Sequence, residues 1–427
     1  MPKKAKKFNG GVAMNEIPRP KYLQSLINKK ENGLIKVITG IRRCGKSYLL
    51  DPIYKNYLLE QGVPNNHIIK LELDIRENSI YHDPDELNAF VKNSIKDDKM
   101  YYVILDEIQK VEDFESVLNG FLHIKNLDVY VTGSNSKFLS SDIITEFRGR
   151  GDEIRILPLT FGEFCTAFSG TKEEAWNEYI IYGGLPHILS YKTEEEKSKY
   201  LIDLFKETYF KDIIERYKIQ RVDVLDALVN MISSSIGSLT NPKKIADTFT
   251  SNNIKDVSIN TITSYLKYLE DAFLIRKAER YDVKGKKYIS TPYKYYFSDI
   301  GLRNARINFR QQEEAHIMEN IIYNELCYRG YNVDVGVVEI REENTSRTQV
   351  EVDFVCNQFY KRYYIQSALE LPTREKTIQE ERPLLNIGDN FKKIIVTKDT
   401  NRHWLTEEGI LIIGIQEFLL NENSLDI

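Results

Sequence analysis

LIKVITGIRRCGKSYLL, residues 34–50, joins an apolar run to a glycine-flanked polar loop and then to a second apolar stretch. The run from Ile35 to Thr39 has the length and β-branched character of a buried strand. From Gly40 to Ser47 the chain follows the pattern G-x-x-x-x-G-K-S, and helical spacing follows it. Each residue type in that order has a physical reason. Glycines let backbone N–H groups wrap phosphate oxygens, and the start of the next helix adds the positive end of its dipole. Lys46 is placed to reach the β- and γ-phosphates, and the Ser47 hydroxyl to ligate Mg²⁺. The stretch predicts a cradle for ATP and Mg²⁺ made of Gly40, Ile41, Arg42, Arg43, Cys44, Gly45, Lys46, Ser47 and Tyr48.

About 60 residues further on, MYYVILDEI (100–108) is an apolar run that ends in two acids. An acid at a buried strand end can hold Mg²⁺, and the next can polarise an attacking water. Asp106 is therefore the expected metal residue and Glu107 the expected catalytic base. DVYVTGSN (128–135) is a third strand with a polar end, where Ser134 or Asn135 would orient the water or touch the γ-phosphate. Open α/β sheets bind ligands at the carboxyl ends of their strands, so the three motifs converge. HIIKLEL (67–73) and EIRILPL (153–159) complete an expected five-stranded, mainly parallel sheet.

FRGRGDE (147–153) places Arg148 and Arg150 between an expected helix end and the last strand. The location resembles that of the arginine finger of AAA-type ATPases, which reaches a neighbour's γ-phosphate; a solvated turn is the plain alternative. Either arginine could sense nucleotide, and the sequence does not choose between them. The order GIRRCGKS, YVILDE, VTGSNS, FRGR, LPLTFGEF and YGGLPHIL resembles a bacterial and archaeal family of AAA-like predicted ATPases. The resemblance covers nearly the whole chain from about residue 17. It implies a P-loop three-layer α/β sandwich, ATP hydrolysis, a winged helix and a C-terminal nuclease-like domain of unknown function. LPLTFGEF and YGGLPHIL carry the resemblance without an assigned chemistry.

The expected organisation is a basic tail over 1–16, a P-loop ATPase domain over 17–160 and a helical lid or linker over 161–235. A winged helix over 236–310 and a restriction-endonuclease-like domain over 311–427 follow. In SINTITSYLKYLEDAFLI (258–275), Ser258 is an N-cap and Ile259, Ile262, Leu266 and Leu269 form the stripe expected to be buried. RKAERYDVKGKKYISTPYKYYF (276–297) reads as a hairpin turning at Gly285, the wing. From Arg276 to Lys294 there are seven basic residues and two acids, in a chain whose net charge is −4. Such a patch suits phosphate contacts, with Lys284, Lys286 and Lys287 at the tip expected to meet DNA.

For the last domain the resemblance implies a site built from a helix acid, the Asp of an EVDF-like strand and an E-x-K on the next strand. Glu319 and Asp353 match, whereas Gln366 and Ala368 stand where the second acid and the lysine would be. The fold is expected without its cleavage. Four cysteines, Cys44, Cys165, Cys327 and Cys356, form no CxxC pair and fit a reducing cytoplasm. The tail MPKKAKKFNGG has no apolar run behind its lysines, and no stretch has the ~20 apolar residues that span a bilayer. The expected protein is a cytoplasmic Mg²⁺-dependent ATPase, a homo-oligomer in one reading, that couples nucleotide to DNA or partner binding. The rival readings are an ATP-held signalling or oligomerisation switch and an ATP-regulated nuclease.

Overall fold

A computed structural model of the chain describes residues 17–133, 149–254, 256–310, 313–340, 347–398 and 402–427. Contacts divide it into two compact units: the residues up to Pro158 together with Asp271–Phe273, and Leu159–Glu270 with Leu274–Ile427.

The first unit is an α/β layer structure on a five-stranded sheet. Strands β1 (Ile35–Thr39), β2 (Ile68–Glu72), β3 (Tyr101–Asp106), β4 (Leu127–Thr132) and β5 (Gly151–Arg155) lie in the order β2-β3-β4-β1-β5, and every pairing is parallel. Parallel strands are covered on both faces, which explains why β1 and β3 are buried along their whole length. Val37, Leu71, Val103, Leu105, Val129 and Val131 pack with Leu118 and Phe121 of the helix Phe114–Phe121. Lys36 interrupts the apolar run of β1, and its buried ammonium meets Asp128 on β4, so the charge is not left alone in the core. After the glycine loop the helix starts at Lys46–Tyr48, is interrupted at Asp51, whose backbone is extended (φ −143°, ψ 112°) just before Pro52, and continues over Lys55–Glu60.

The second unit begins with helices and ends in a mixed sheet. The helix Phe161–Ala167 opens with a capping box. Thr160 Oγ1 accepts from the Glu163 N–H at 3.2 Å, and Glu163 Oε2 accepts from the Thr160 N–H at 3.0 Å. That pair accounts for the T-x-x-E inside LPLTFGEF. Helices Pro242–Ser251 and Ile259–Asp271 follow, the second capped by Ser258, whose Oγ accepts from the Thr261 N–H at 3.0 Å. Ile262, Leu266 and Leu269 are buried as expected. Ile259 is not: it is exposed in the first turn, and Tyr265 takes its place in the stripe.

The hairpin of β6 (Ile275–Asp282) and β7 (Lys287–Phe297) does turn at Gly285, whose N–H donates to Asp282 at 2.8 Å. It is not free-standing. β6 pairs in parallel with β8 (Asn332–Ile340), through Arg280 opposite Val335 and Asp282 opposite Val337. With β9 (Thr348–Gln358), β10 (Lys361–Ala368), β11 (Lys392–Thr397), β12 (Trp404–Leu405) and β13 (Leu411–Gly414), the sheet has the order β12-β13-β11-β10-β9-β8-β6-β7. It thus joins residues on both sides of position 310. Val338, Val352, Val355, Ile395 and Ile412 carry its core. Among the described residues no helix is long and apolar enough to cross a membrane.

YGGLPHIL acquires a structural role here. The Gly184 N–H donates to Asp299 at 2.8 Å, and the Leu302 N–H donates to the other carboxylate oxygen at 3.0 Å. Burial pushes the Asp299 carboxyl up to about 6 against the pull of its backbone donors. At Gly301 a Cβ would stand 2.0 Å from the Tyr182 carbonyl oxygen, which is backbone and cannot give way. Gly301→Ala is therefore expected to cost about 3 kcal/mol, read as an earlier midpoint of urea unfolding. Gly388→Ala, with nothing within 4 Å of its Cβ, is the control that should leave the midpoint in place.

Candidate nucleotide site

Because β4 lies between β1 and β3 and all are parallel, the carboxyl ends of the three strands stand side by side. The loop that leaves β1 is shaped by two glycines at positive φ. At Gly40 (φ +140°) a Cβ would lie 2.3 Å from the Ile156 carbonyl oxygen, so no side chain fits. Gly45 (φ +100°) leads directly into Lys46. The Lys46 side chain is buried and its ammonium donates to the carbonyls of Gly40 and Ile41, each at 3.0 Å, so it spans the loop to which it belongs. Arg19, also buried, braces the loop from outside: its guanidinium donates to the Cys44 carbonyl at 3.1 Å and the Leu157 carbonyl at 2.7 Å.

The two acids at the end of β3 are held differently. Asp106 is buried, and the Thr132 hydroxyl at the end of β4 donates to it. Burial pushes its carboxyl up, while hydrogen bonds from Thr132 and Ser47 pull the other way. Glu107 adopts a left-handed backbone conformation at φ 56°, an uncommon state for a residue with a side chain. Its N–H donates to the same Thr132 oxygen at 3.1 Å, which fixes the turn, and Gln109 Nε2 donates to its carboxylate. One hydroxyl thus sets both acids.

Between the loop and the acids lies a cleft of ≈ 470 Å³, lined by Arg42, Arg43, Gly45, Lys46, Ser47, Tyr48, Asp74, Asp106, Glu107 and Lys110. The size suits a nucleotide-sized ligand. Four cations and three carboxylates line one cavity, as a phosphate chain with a bridging divalent cation requires.

The AAA domain family matches residues 32–165, the segment that supplies this cleft, and a family described as Domain of unknown function (DUF8612) matches residues 173–313. An uncharacterized protein of Haemophilus influenzae is 35% identical over 412 residues, 95% of this chain and 98% of its own length. The chain belongs to the same protein family as that Haemophilus influenzae protein. An uncharacterized protein of Methanocaldococcus jannaschii is 29% identical over 369 residues, covering 83% of this chain and 76% of its own. Among solved structures, the Walker-type ATPase paby2304 of Pyrococcus abyssi is 15% identical, covers 70% of this chain and 99% of its own, and has a TM-score of 0.49.

Of the site residues expected from the sequence, Lys46, Ser47, Asp106 and Glu107 come together at one cleft, with Arg42, Arg43, Gly45 and Tyr48 beside them. Ser134, Asn135 and Arg148 lie outside the described residues. Arg150 stands at the amino end of β5, where its carbonyl accepts from the Ile35 N–H at 2.9 Å and its guanidinium donates to Asn119 at 3.2 Å. Six residues of extended chain, ~20 Å, separate it from Ile156 beside Gly40. Sequence reasoning missed Thr132, Asp74, Lys110 and Arg19. Asp74 carried a usable signal, since it follows β2 as Asp106 ends β3. Thr132 became legible only once β4 was known to neighbour β3.

The donors fit Mg²⁺. Ser47 and Asp106 present hard oxygen ligands facing one another, and Mg²⁺ is commonly held by one or two protein oxygens with the remainder from phosphate and water. Among the described residues no cluster of three or more histidine, cysteine or acidic side chains makes an all-protein metal cage.

Proposed function

We propose that this chain is a Mg²⁺-dependent ATPase whose nucleotide state governs binding of DNA or a protein partner. The observation that carries the reading is the opposition of Lys46 and Ser47 to Asp106 and Glu107 across the ≈ 470 Å³ cleft. Lys46 and the loop N–H groups hold the phosphates, while Ser47 and Asp106 would hold the metal. When bound, Mg²⁺ neutralises charge on the β- and γ-phosphate oxygens. Glu107 accepts the proton of a water aligned with the γ-phosphate. Arg150, distant from its own cradle, serves as a finger only toward a neighbouring copy, which ties that role to a homo-oligomer. The four free cysteines and the P-loop chemistry suit the cytoplasm. A slow switch that holds ATP is the second reading, favoured by the hold of Gln109 on Glu107.

The segment from Pro242 to Phe297 has the helix–helix–hairpin order of a winged helix, and Lys284, Lys286 and Lys287 are exposed at its tip. Lys294 leaves the basic count of this face, because it is buried. We read the strand–helix–strand system from Glu314 to Gly414 as a nuclease-like fold without cleavage. The test is ATP turnover titrated with single- and double-stranded DNA. Stimulation by either supports the coupled ATPase, and turnover near zero under all conditions supports the switch. Neutralising Lys284, Lys286 and Lys287 together should weaken DNA binding and lower its log–log salt slope by about one for every phosphate that is no longer neutralised. Binding indifferent to the triple change would move this face to a protein-binding role.

A further inference from the structure

The carboxylates expected at a nuclease-like centre do come together, but the space among them is taken. Glu319 projects from the helix Glu314–Tyr328, and Asp353 and Glu351 from β9. The Lys294 ammonium, from β7, lies 2.7 Å from Glu319 Oε1, 2.7 Å from Glu351 Oε1 and 3.4 Å from Asp353 Oδ1. An ammonium has three N–H donors, and here each faces a carboxylate oxygen. Further donors reach two of these carboxylates. Tyr296 donates to the same Glu319 Oε1 at 2.6 Å, and the Ser367 N–H donates to the other oxygen of Asp353, Oδ2, at 2.9 Å. Gln366, at the position of the missing acid, accepts from the Asp353 N–H at 3.3 Å instead of facing a cation, and Ala368 is packed in the sheet core.

We propose that Lys294 is the resident cation of this carboxylate cluster, seated where a nuclease-like fold would bind a divalent metal, so that the cluster is a fixed ionic joint and not a hydrolytic centre. The comparison with a metal rests on reading the domain as nuclease-like; the joint itself rests on geometry alone. The residues present do not fit Mg²⁺ or Mn²⁺. A divalent ion needs oxygens at ~2.1 Å and would have to share their lone pairs, at close range, with a second positive charge. Lys294 is only 3% exposed, so it cannot swing into water to make room while β7 stays in the sheet. Burial alone would discharge the ammonium, but the charges of Glu319, Asp353 and Glu351 outweigh it and hold the proton. The joint connects three parts of the second unit: the hairpin, the helix Glu314–Tyr328 and β9. A buried cation with three anionic partners from two other elements fixes register more tightly than an apolar contact, because a one-residue slip strands a charge.

The test counts Mn²⁺ on the full chain without nucleotide, by electron paramagnetic resonance. The wild type and Asp353→Asn are expected to bind equal numbers of ions, and millimolar Mn²⁺ should leave the wild-type melting temperature unchanged. Lys294→Met, close in shape and without charge, should gain one Mn²⁺ per chain, and Lys294→Met/Asp353→Asn should lose it again. Should Lys294→Met not fold, the wild-type comparison decides alone. An Asp353-dependent Mn²⁺ in the wild type overturns the proposal, as does a folded Lys294→Met that gains none. DNA cleavage by the wild type that disappears in Asp353→Ala overturns it as well. None of these readouts involves Lys46 or Glu107, so failure of the ATPase reading leaves the result interpretable.

Discussion

Glu107→Gln should bind ATP as tightly as the parent chain and hydrolyse it at least ~10²-fold more slowly. The change keeps the shape of the side chain and removes only the carboxylate that can take a proton from water. The loop proposed to hold the phosphates offers backbone N–H groups and Lys46, none of which the substitution touches. The turn at φ 56° is also preserved, since it is fixed by the bond from the Glu107 N–H to Thr132 and not by the side chain. Phosphate release in a single turnover, set beside the affinity for a fluorescent ATP analogue, separates the two quantities. Unchanged turnover would remove Glu107 as the base, and Asp74, the other described carboxylate in the cleft not assigned to metal, would be tested next.

Lys46→Ala should lose nucleotide, with affinity lower by roughly 10²-fold or more, since a buried cation bonded to phosphate contributes about 1.5–3 kcal/mol per hydrogen bond. The geometry sharpens the expectation. The Lys46 stem is buried and the ammonium already lies between the carbonyls of Gly40 and Ile41. Few rotamers remain to be frozen when phosphate arrives, so most of the charge interaction appears as affinity. Removing it also leaves two carbonyl oxygens facing phosphate oxygens, which repel. Circular dichroism and the urea midpoint establish that the variant is folded. Equal affinity in the variant and the parent would sink the assignment of this loop.

How far the sequence carried depends on the range of each interaction. Strands β1, β2 and β3 were legible to within about two residues, because a buried parallel strand is a short apolar run with polar ends, whereas β4 and β5 end earlier, at Thr132 and Arg155, than the apolar runs assigned to them. Lys46, Ser47, Asp106 and Glu107 were legible because each sits at a fixed offset from such a run. Strand order was not, and with it went Thr132, whose hydrogen bonds to Asp106 and Glu107 exist only because β4 lies beside β3. Ile259 failed for a local reason: the apolar stripe starts one turn later, at Ile262, and is completed by Tyr265. Lys294 failed for a distant one. Counted along the chain it is one more positive charge of a basic hairpin. Only the burial of β7 against the helix Glu314–Tyr328 turns it inward among acids.

The parallel pairing of β6 with β8 has a consequence for how the chain is made. Arg280 and its partner Val335 are 55 residues apart. At a synthesis rate of about 5–20 residues per second, β6 leaves the ribosome roughly 3–11 s before the strand that covers it. Throughout that interval the hairpin presents a bare row of amide and carbonyl groups on its β8 side, open to any extended segment nearby. Nascent chains on a crowded polysome carry the same row at the same stage. The positive charges of the hairpin then act as mutual repulsion between neighbouring chains, keeping apart edges that would otherwise pair before β8 arrives.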